Sequence, residues 1–275
     1  MESRILVVEP GTGGAAEFSS ISEAIRAAVV GDTILLKAGF YEEKVLMDKA
    51  VHIVVDSEAE PGDTVVTSGM ICTAPSGSIT NLVIQQLVDI RSGGVVMQNC
   101  EVTLGSDGIR IGAGANPTIK DCKIHNIQGG GAGVYFQEGS LGTLEGCHIS
   151  NVRNDGVHVK ASEAATIINC EISHCPNGVY FRQGARGLVE GNAIHHCTQF
   201  GIYIQSGSEP IVSKNSIDTC DIHAVLVSQK GGGTIRDNVV TAACSVRIYA
   251  GCSPVLGINS FAGLVEQDAV AAPVA

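Results

Sequence analysis

The stretch Gly133-Val-Tyr-Phe-Gln-Glu-Gly-Ser-Leu-Gly-Thr-Leu-Glu-Gly-Cys-His-Ile-Ser-Asn151 decides the fold, because it is one copy of a unit that recurs through most of the chain. The unit consists of Gly–apolar–x–apolar, a glycine-rich corner, apolar–x–x–Cys/Asn–x–apolar, and a second corner. Its first position recurs every 21 to 25 residues, at Gly108, Gly133, Gly156, Gly178, Gly201, Ala224 and Ser245. A period of this length is typical of proteins built from stacked repeats.

Each repeat predicts short strands and no helix. Apolar residues stand one and three positions after each small residue, so that both columns lie on one face of a strand. A further column keeps its position in the repeat but changes from Cys to Asn along the chain. Its residues are Cys122, Cys147, Cys170, Asn192, Asn215, Asn238 and Asn259. Stacked β coils about 4.8 Å apart fit this pattern best. We expect the Asn side chains to hydrogen-bond to one another along the solenoid axis.

The N-terminal region departs from the repeat and predicts a helix. Ser20-Ile-Ser-Glu23 has capping-box spacing. One face of the following helix would carry Ile21, Ala24, Ile25 and Ala28. A single amphipathic helix ahead of a β array indicates a cap over the first coil.

The repeat also sets the expected boundaries. We expect the β-helix to span 1–261, with the N-terminal cap at about 1–32, regular coils at about 78–261 and a C-terminal tail at 262–275. No second amphipathic helix is predicted to cover the last coil, and an uncovered coil is an exposed sheet edge. The C-terminal coil is therefore expected to make an end-to-end contact with a partner or a second copy.

Composition narrows the class of partner. The 17 basic and 28 acidic residues give a net charge of −11, which argues against nucleic acid and anionic membranes as partners. The first thirty residues lack the pattern of a signal peptide, and most of the ten cysteines recur at equivalent repeat positions like small core residues. Reduced thiols and a cytoplasmic location are the resulting expectation.

The pattern resembles the right-handed, single-stranded parallel β-helix family of the pectin-lyase-like superfamily, with its carbohydrate-binding/sugar-hydrolysis repeats. The segments Gly108–Asn126 and Gly133–Asn151 are most similar to the β-helix of eukaryotic F-box proteins, and the segment Phe18–Val30 also resembles the opening of pectinesterases. The resemblance implies an all-β, right-handed solenoid. For the F-box relatives, it implies that this domain recruits protein substrates.

The outward positions between the apolar columns are the candidate binding surface. The first outward column reads Arg110, Tyr135, His158, Tyr180, Tyr203, Leu226 and Arg247, and it holds three of the five tyrosines in the chain. Lys160, Arg182 and Gln205 belong to the column beside it. Tyrosine and arginine are enriched at binding hot spots. Aromatic residues also favour exposed β positions without any binding role, and this alternative stays open.

Carboxylates near this surface raise the possibility of an enzyme. Asp107 and Asp155 each precede a repeat glycine two coils apart, about 9–10 Å if each coil rises about 4.8 Å, near the upper limit for an inverting glycosidase pair. The Asn154-Asp155-Gly156 segment resembles part of a polygalacturonase motif, but the other pectinase, pectate lyase and pectinesterase motifs are missing. If the chain is an enzyme, its catalytic candidates are Asp107, Asp155, His158 and Lys160.

Two His-Cys pairs are the candidate metal ligands in the sequence. His174-Cys175 and His196-Cys197 are in register on adjacent coils, but neighbouring strand residues point to opposite sides. The sequence therefore predicts no metal site and no cofactor.

Two functions remain. The main prediction is a non-enzymatic scaffold that binds a protein partner through Arg110, Tyr135, His158, Lys160, Tyr180, Arg182, Tyr203, Gln205 and Arg247. The alternative is a uronan-binding or uronan-cleaving protein of the pectin-lyase-like superfamily.

Overall fold

The chain forms an all-β parallel solenoid of about 10 turns in which each coil contributes one short strand to each of three sheets. This computed structural model describes residues 3–11, 16–60, 62–241 and 245–268. Each strand pairs in parallel with its equivalents one coil before and after it, and the strands are numbered β1 to β34 in chain order.

The first sheet begins with the strand that precedes the helix. Its strands are β1 (Ile5–Val8), β2 (Thr33–Leu36), β5 (His52–Val55), β8 (Ser78–Thr80), β11 (Val96–Gln98), β14 (Thr118–Lys120), β17 (Leu141–Glu145), β20 (Ala164–Ile168), β23 (Gly187–Glu190), β26 (Ile211–Ser213), β29 (Thr234–Arg236) and β32 (Val255–Leu256).

The second sheet follows the first corner of each coil. Its strands are β3 (Gly39–Tyr41), β6 (Thr64–Val66), β9 (Val83–Gln85), β12 (Glu101–Thr103), β15 (Lys123–Ile127), β18 (His148–Val152), β21 (Glu171–Ser173), β24 (Ala193–Cys197), β27 (Ser216–Cys220), β30 (Val239–Val240) and β33 (Ser260–Phe261).

The third sheet carries the Gly–apolar–x–apolar strands. Its strands are β4 (Val45–Met47), β7 (Met70–Cys72), β10 (Val88–Ile90), β13 (Ile109–Ile111), β16 (Val134–Phe136), β19 (Val157–Lys160), β22 (Asn177–Arg182), β25 (Phe200–Ile204), β28 (His223–Val227), β31 (Val246–Ile248) and β34 (Val265–Gln267).

The apolar columns fill the centre of the solenoid, as predicted. Phe136 and Phe181 are among the largest fully buried side chains, and the Val and Ile columns around them are buried throughout. The repeat glycines make this packing possible. A Cβ on Gly156 would lie 2.6 Å from Ile172 Cγ2 and 2.8 Å from the carbonyl oxygen of Gly178.

The predicted Asn ladder is confirmed. Asn192 Nδ2 donates to Asn215 Oδ1 at 2.9 Å, Asn215 Nδ2 donates to Asn238 Oδ1 at 2.9 Å, and Asn238 Nδ2 donates to Asn259 Oδ1 at 3.0 Å. The earlier coils carry cysteines at this corner. All nine cysteines among the described residues are buried, and Cys244 lies outside the described residues.

The helix α1 spans Ile21–Ala27, with Ser20 as its N-cap. Ser20 Oγ accepts the Glu23 backbone N–H at 3.2 Å, and the Glu43 carboxylate accepts the N–H groups of Ile21 and Ser22 at 2.7 and 3.0 Å. The predicted apolar face is buried. The role of α1 as a cap stays a prediction.

The regular coils extend beyond the expected limits. Three-sheet coils begin at Thr33 rather than near 78, and β34 pairs with β31 beyond residue 261. Among the three early third-sheet strands, only β7 follows a glycine, Gly69, whereas β4 follows Lys44 and β10 follows Leu87, so the spacing hid these coils. The described part of the tail, 262–268, thus includes a strand, and the rest of it, 269–275, lies outside the described residues. The domain boundaries and the end-to-end contact stay predictions.

A buried carboxylate joins the first two strands, and it predicts a pH dependence of stability. Asp32 is fully buried and accepts hydrogen bonds from Arg4 N, Nε and Nη2 and from Val29 N. The Arg4 side chain, and then the Val29 N–H, lower the pKa of Asp32 to about 2. Because this value lies below that of an unfolded carboxyl, about 3.9, the stabilisation is complete above pH ~4 and is lost as the pH falls through ~2.

Asp32→Asn should therefore unfold at a lower temperature than the native chain at pH 7. The difference between the two should shrink as the pH falls from about 4 to about 2. Thermal unfolding followed by circular dichroism across this range measures it. Asp237→Asn is the matched control, because Asp237 makes an exposed ion pair with Arg236 at 2.6 Å. A constant difference between Asp32→Asn and the native chain at all pH values would contradict the assignment.

Candidate functional site

The outward residues of the third sheet form one continuous column. Strand pairing places them in register as Leu46, Ile71, Asp89, Arg110, Tyr135, His158, Tyr180, Tyr203, Leu226, Arg247 and Glu266. Lys160 and Arg182 are also paired in register, one position further along β19 and β22. We call the surface from Asp107 to Asp268 on this face the strip.

Aromatic rings occupy the middle of the strip. The His158 ring lies 5.0 Å from that of Tyr135 and 4.8 Å from that of Tyr180, measured between centroids. Tyr180 stacks on Tyr203 at 4.9 Å with an interplanar angle of 14°. Phe200 lies 5.1 Å from Tyr203 and extends the aromatic surface sideways.

A buried carboxylate–imidazole pair lies within this aromatic surface. Asp155 Oδ2 lies 2.8 Å from His158 Nδ1, and Asn177 Nδ2 donates to Asp155 Oδ1 at 2.7 Å. Asp155 is 2% exposed and His158 is 9% exposed, so His158 is far less open than the sequence implied. The carboxylate fixes the proton on Nδ1 and leaves Nε2 as the acceptor. That Nε2 atom is buried and has no hydrogen-bond partner among the described residues.

Two cations flank the pair. Lys160 and Arg182 make no ion pair or hydrogen bond with any residue that the structure describes, and Arg182 Nε is buried without a partner. As in-register residues on adjacent strands, they are separated by about 4.8 Å at the backbone. In a chain with a net charge of −11, two adjacent unpaired cations form a local site for anions.

Tyr180 is held as a hydrogen-bond donor. Gln205 Nε2 donates to the Tyr180 hydroxyl oxygen, which leaves the hydroxyl proton free. Burial, followed by the neighbouring Tyr203, raises the pKa of Tyr180. The phenol therefore stays protonated at neutral pH and can supply a proton.

Ion pairs close both ends of the strip. Arg110 Nη2 lies 2.6 Å from Asp107 Oδ2, and Arg91 Nε lies 2.8 Å from Asp89 Oδ2. At the other end, Arg247 contacts Glu266 at 2.8 Å and Asp268 at 2.6 Å. The arginines at the ends are thus already neutralised, in contrast to Lys160 and Arg182.

The structure brings most of the predicted site residues together and separates a few. Asp155, His158, Lys160, Tyr180 and Arg182 lie on two adjacent coils, with Tyr135 on one side and Tyr203 and Gln205 on the other. Asp107 instead pairs with Arg110, two coils from Asp155, and its Oδ1 accepts the Ala132 N–H at 3.0 Å.

Sequence reasoning missed Asn177 and Phe200. Asn177 precedes Gly178 as Asp155 precedes Gly156, and this shared position was the available signal.

The His-Cys pairs do not converge, as predicted. Cys175 and Cys197 are buried, whereas His174 and His196 are exposed and stack on each other at 5.0 Å. No group of three His, Cys, Asp or Glu side chains suited to a metal ion occurs among residues 3–11, 16–60, 62–241 and 245–268.

The family model described as "Right handed beta helix region" matches residues 68–156 and 126–261, which together exceed half of the chain. The chain therefore belongs to this family. No curated protein matches it significantly. Within the described residues, no helix has the length and hydrophobicity required to cross a membrane.

Similar solved structures show the fold. A pectate lyase superposes with a TM-score of 0.63 at 13% identity, covering 100% of this chain and 82% of the lyase. The A-module of a mannuronan C-5 epimerase from Azotobacter vinelandii gives 0.57 at 16% identity, covering 92% and 95%. A second epimerase A-module from that organism gives 0.51 at 14% identity, covering 93% and 96%.

These findings correct the main functional prediction. The prediction of a non-enzymatic protein-binding scaffold is wrong, because the similar structures are polysaccharide-acting enzymes and favour the uronan alternative. A protein partner is not supported, and the finer resemblance to F-box substrate receptors is not shown. The scaffold prediction relied on the absence of pectinase motifs. Those motifs do not describe the contact between Asp155 and His158, which are three residues apart and whose side chains meet in the folded coil. The cytoplasmic location stays a prediction.

Proposed function

We propose that the chain is a polyuronate-active enzyme that removes the proton at C5 of a uronate residue bound across the strip. The observation that carries the proposal is the buried Asp155–His158 pair, whose Nε2 has no partner among the described residues and whose strand and the next one carry the unpaired cations Lys160 and Arg182. A general base needs a free lone pair and a fixed orientation, and this imidazole has both. Pectate and mannuronan, the substrates named for two similar structures, are both polyuronates.

The cations supply the second requirement. A C5–H bond is weakly acidic, and its removal places negative charge on the adjacent carboxylate. One of Lys160 and Arg182 would bind that carboxylate and stabilise the added charge, as preorganised cations do in low-dielectric sites, and the other would bind the carboxylate of the neighbouring uronate. Their lack of carboxylate partners within the described structure leaves them available for this task.

The protonated Tyr180 completes the site. In the first step, His158 Nε2 takes the C5 proton, and the electron pair of the C–H bond moves onto the carboxylate. The electron pair can then form the C4–C5 double bond as the C4–O4 bond breaks, and O4 takes up a proton. Alternatively, a proton returns to C5 from the other face. Tyr180 is the proton donor to O4 in the elimination, because its raised pKa keeps its hydroxyl protonated, and a proton returned to the other face of C5 comes from water.

The direct test measures hydrogen exchange at C5. The purified chain should incorporate deuterium at C5 of polygalacturonate or polymannuronate in deuterated water, as detected by NMR, and should leave dextran unchanged. An elimination would instead leave C5 without a hydrogen and would produce the ultraviolet absorbance of the new double bond. Binding of either polyuronate with neither C5 exchange nor this absorbance would refute the proposed chemistry.

The proposed role of Lys160 and Arg182 leads to a separate prediction. Lys160→Gln combined with Arg182→Gln should raise the KM for the polyuronate at least about tenfold, because each charge-assisted contact contributes roughly 1.5–3 kcal/mol. Initial rates across substrate concentrations measure this. Lys123→Gln is the matched control, since Lys123 is an exposed lysine of the second sheet without an ion pair in the described structure. An equal effect of Lys123→Gln would show that only net charge matters.

A further inference from the structure

The charge pattern along the strip changes abruptly on the C-terminal side of Arg182. On this face, β25 and β28 and the residue after each hold only neutral outward side chains, which we call the neutral shelf: Phe200, Tyr203, Gln205, His223, Leu226 and Ser228. Leu226 stands in the outward column where preceding coils carry Tyr or His, and it is 5% exposed. The shelf thus offers the partly exposed rings of Phe200, Tyr203 and His223 but no cation.

The polar side chains of the shelf are hydrogen-bonded within the protein. The Tyr203 hydroxyl lies 2.9 Å from Gln205 Oε1 and 3.2 Å from Ser228 Oγ. His223 Nδ1 lies 2.7 Å from Ser245 Oγ, and its ring stacks on Phe200 at 5.9 Å. Burial lowers the pKa of His223, so the imidazole is neutral at pH 7. No group on the shelf can therefore offer a positive charge to a ligand.

Beyond the shelf the strip is negative. Arg247 is shared between Glu266 and Asp268, so this end carries one cation and two carboxylates. Its guanidinium also lies 5.0 Å from the centre of the Tyr249 ring. A carboxylate placed on the shelf would lose water against the Phe200 and Tyr203 rings without a cation, and it would lie on the side of Glu266 and Asp268. Both effects disfavour it.

We infer that the strip recognises two consecutive ionised uronates, on the coils of Lys160 and Arg182, followed on the C-terminal side by a sugar without a free carboxylate. This inference rests on the proposed function and specifies its substrate. Successive coils rise about 4.8 Å, close to the length of one sugar in a polymer, so neighbouring sugars meet neighbouring coils. The third sugar is either an esterified uronate or a neutral hexose, since both lack the charge.

Two series of matched ligands test the inference. Tetragalacturonate and tetramannuronate are each prepared with a carboxylate, a methyl ester or a primary alcohol at C6 of one terminal sugar, separately for the two ends. Isothermal titration should give about tenfold tighter binding for an uncharged terminal sugar at one end, the change expected when a desolvation penalty of about 1.4 kcal/mol is removed. The ester and alcohol arms identify which uncharged sugar is preferred.

A variant of the shelf provides the decisive comparison. Leu226→Lys places a cation in register between Tyr203 and Arg247 and should abolish or reverse the preference for the uncharged sugar, whereas Leu226→Gln, of similar size, should retain it. Ser228→Lys offers the same change at a second position if Leu226→Lys fails to fold.

The outcomes separate the two proposals. Binding of all ligands with no preference between charged and uncharged sugars would overturn this inference and leave the proposed function intact. If no tetrasaccharide bound and neither polymer showed C5 hydrogen exchange or the ultraviolet absorbance of an elimination product, both would be overturned.

Discussion

His158→Gln should reduce C5 hydrogen exchange in the polyuronate by about a thousandfold, within the 10²–10⁴ range typical of a lost general base. Glutamine keeps a polar side chain of similar reach but has no basic nitrogen. The Asp155 carboxylate and the Tyr135 and Tyr180 rings that surround His158 would remain in place. The turnover number should therefore fall much more than the KM changes, and initial rates measured by NMR separate the two.

The control for this variant is another histidine beside a carboxylate. His148 lies on the second sheet, with Nδ1 3.2 Å from Glu171 Oε2, and His148→Gln should leave the rate unchanged. Asp155→Asn should lower the rate through the orientation and tautomer of His158. If His158→Gln retained more than about a tenth of the native rate, a hundredfold loss being the least expected of a lost base, His158 would not be the base.

Asn215→Leu should destabilise the solenoid by roughly 2–6 kcal/mol, because two buried backbone groups lose their partners at about 1–3 kcal/mol each. Asn215 Oδ1 accepts the Asn192 N–H at 2.9 Å, and Asn215 Nδ2 donates to the Val189 carbonyl at 2.9 Å. Leucine can replace neither bond. Urea unfolding followed by circular dichroism measures the free energy change.

The same corner of an earlier coil offers the control. Cys147 Sγ contacts the carbonyls of Ile119 and Glu145 at 3.3 and 3.5 Å, which are weak hydrogen bonds. Cys147→Ala should cost only about 1 kcal/mol, near the value of one buried methylene group. Similar costs for Asn215→Leu and Cys147→Ala would contradict a hydrogen-bonding role for the Asn ladder.

The columns of the third sheet could be predicted because a parallel β coil leaves little freedom of register. Once Gly133, Gly156 and Gly178 are recognised as equivalent, every residue after them has one neighbour on each side, and the pairing of Tyr135, His158 and Tyr180 follows. The Asn ladder was predictable for the same reason. Asn177 was not predicted as a site residue, because the polygalacturonase motif requires an Asp at this position and Asn does not match it.

Side-chain partners could not be predicted in the same way. In the sequence, all four cations of the two outward columns are expected to be exposed, yet Arg110 and Arg247 are paired with carboxylates whereas Lys160 and Arg182 are not, within the described structure. The alternation of a strand gives the side of the sheet and leaves open which acid a long side chain will reach. The sequence therefore could not show whether all the cations of the strip or only Lys160 and Arg182 are left without a carboxylate partner.

Each coil is bonded to its two neighbours, and each contributes one position to every column. A tandem duplication of one repeat would therefore lengthen the strip by one coil, which is about the length of one sugar, without altering any existing contact within a coil. A duplicated Tyr203 coil would add an aromatic platform, and a duplicated Arg182 coil would add an anion site. Substrate length and charge pattern can thus evolve by copying segments, separately from the chemistry at His158.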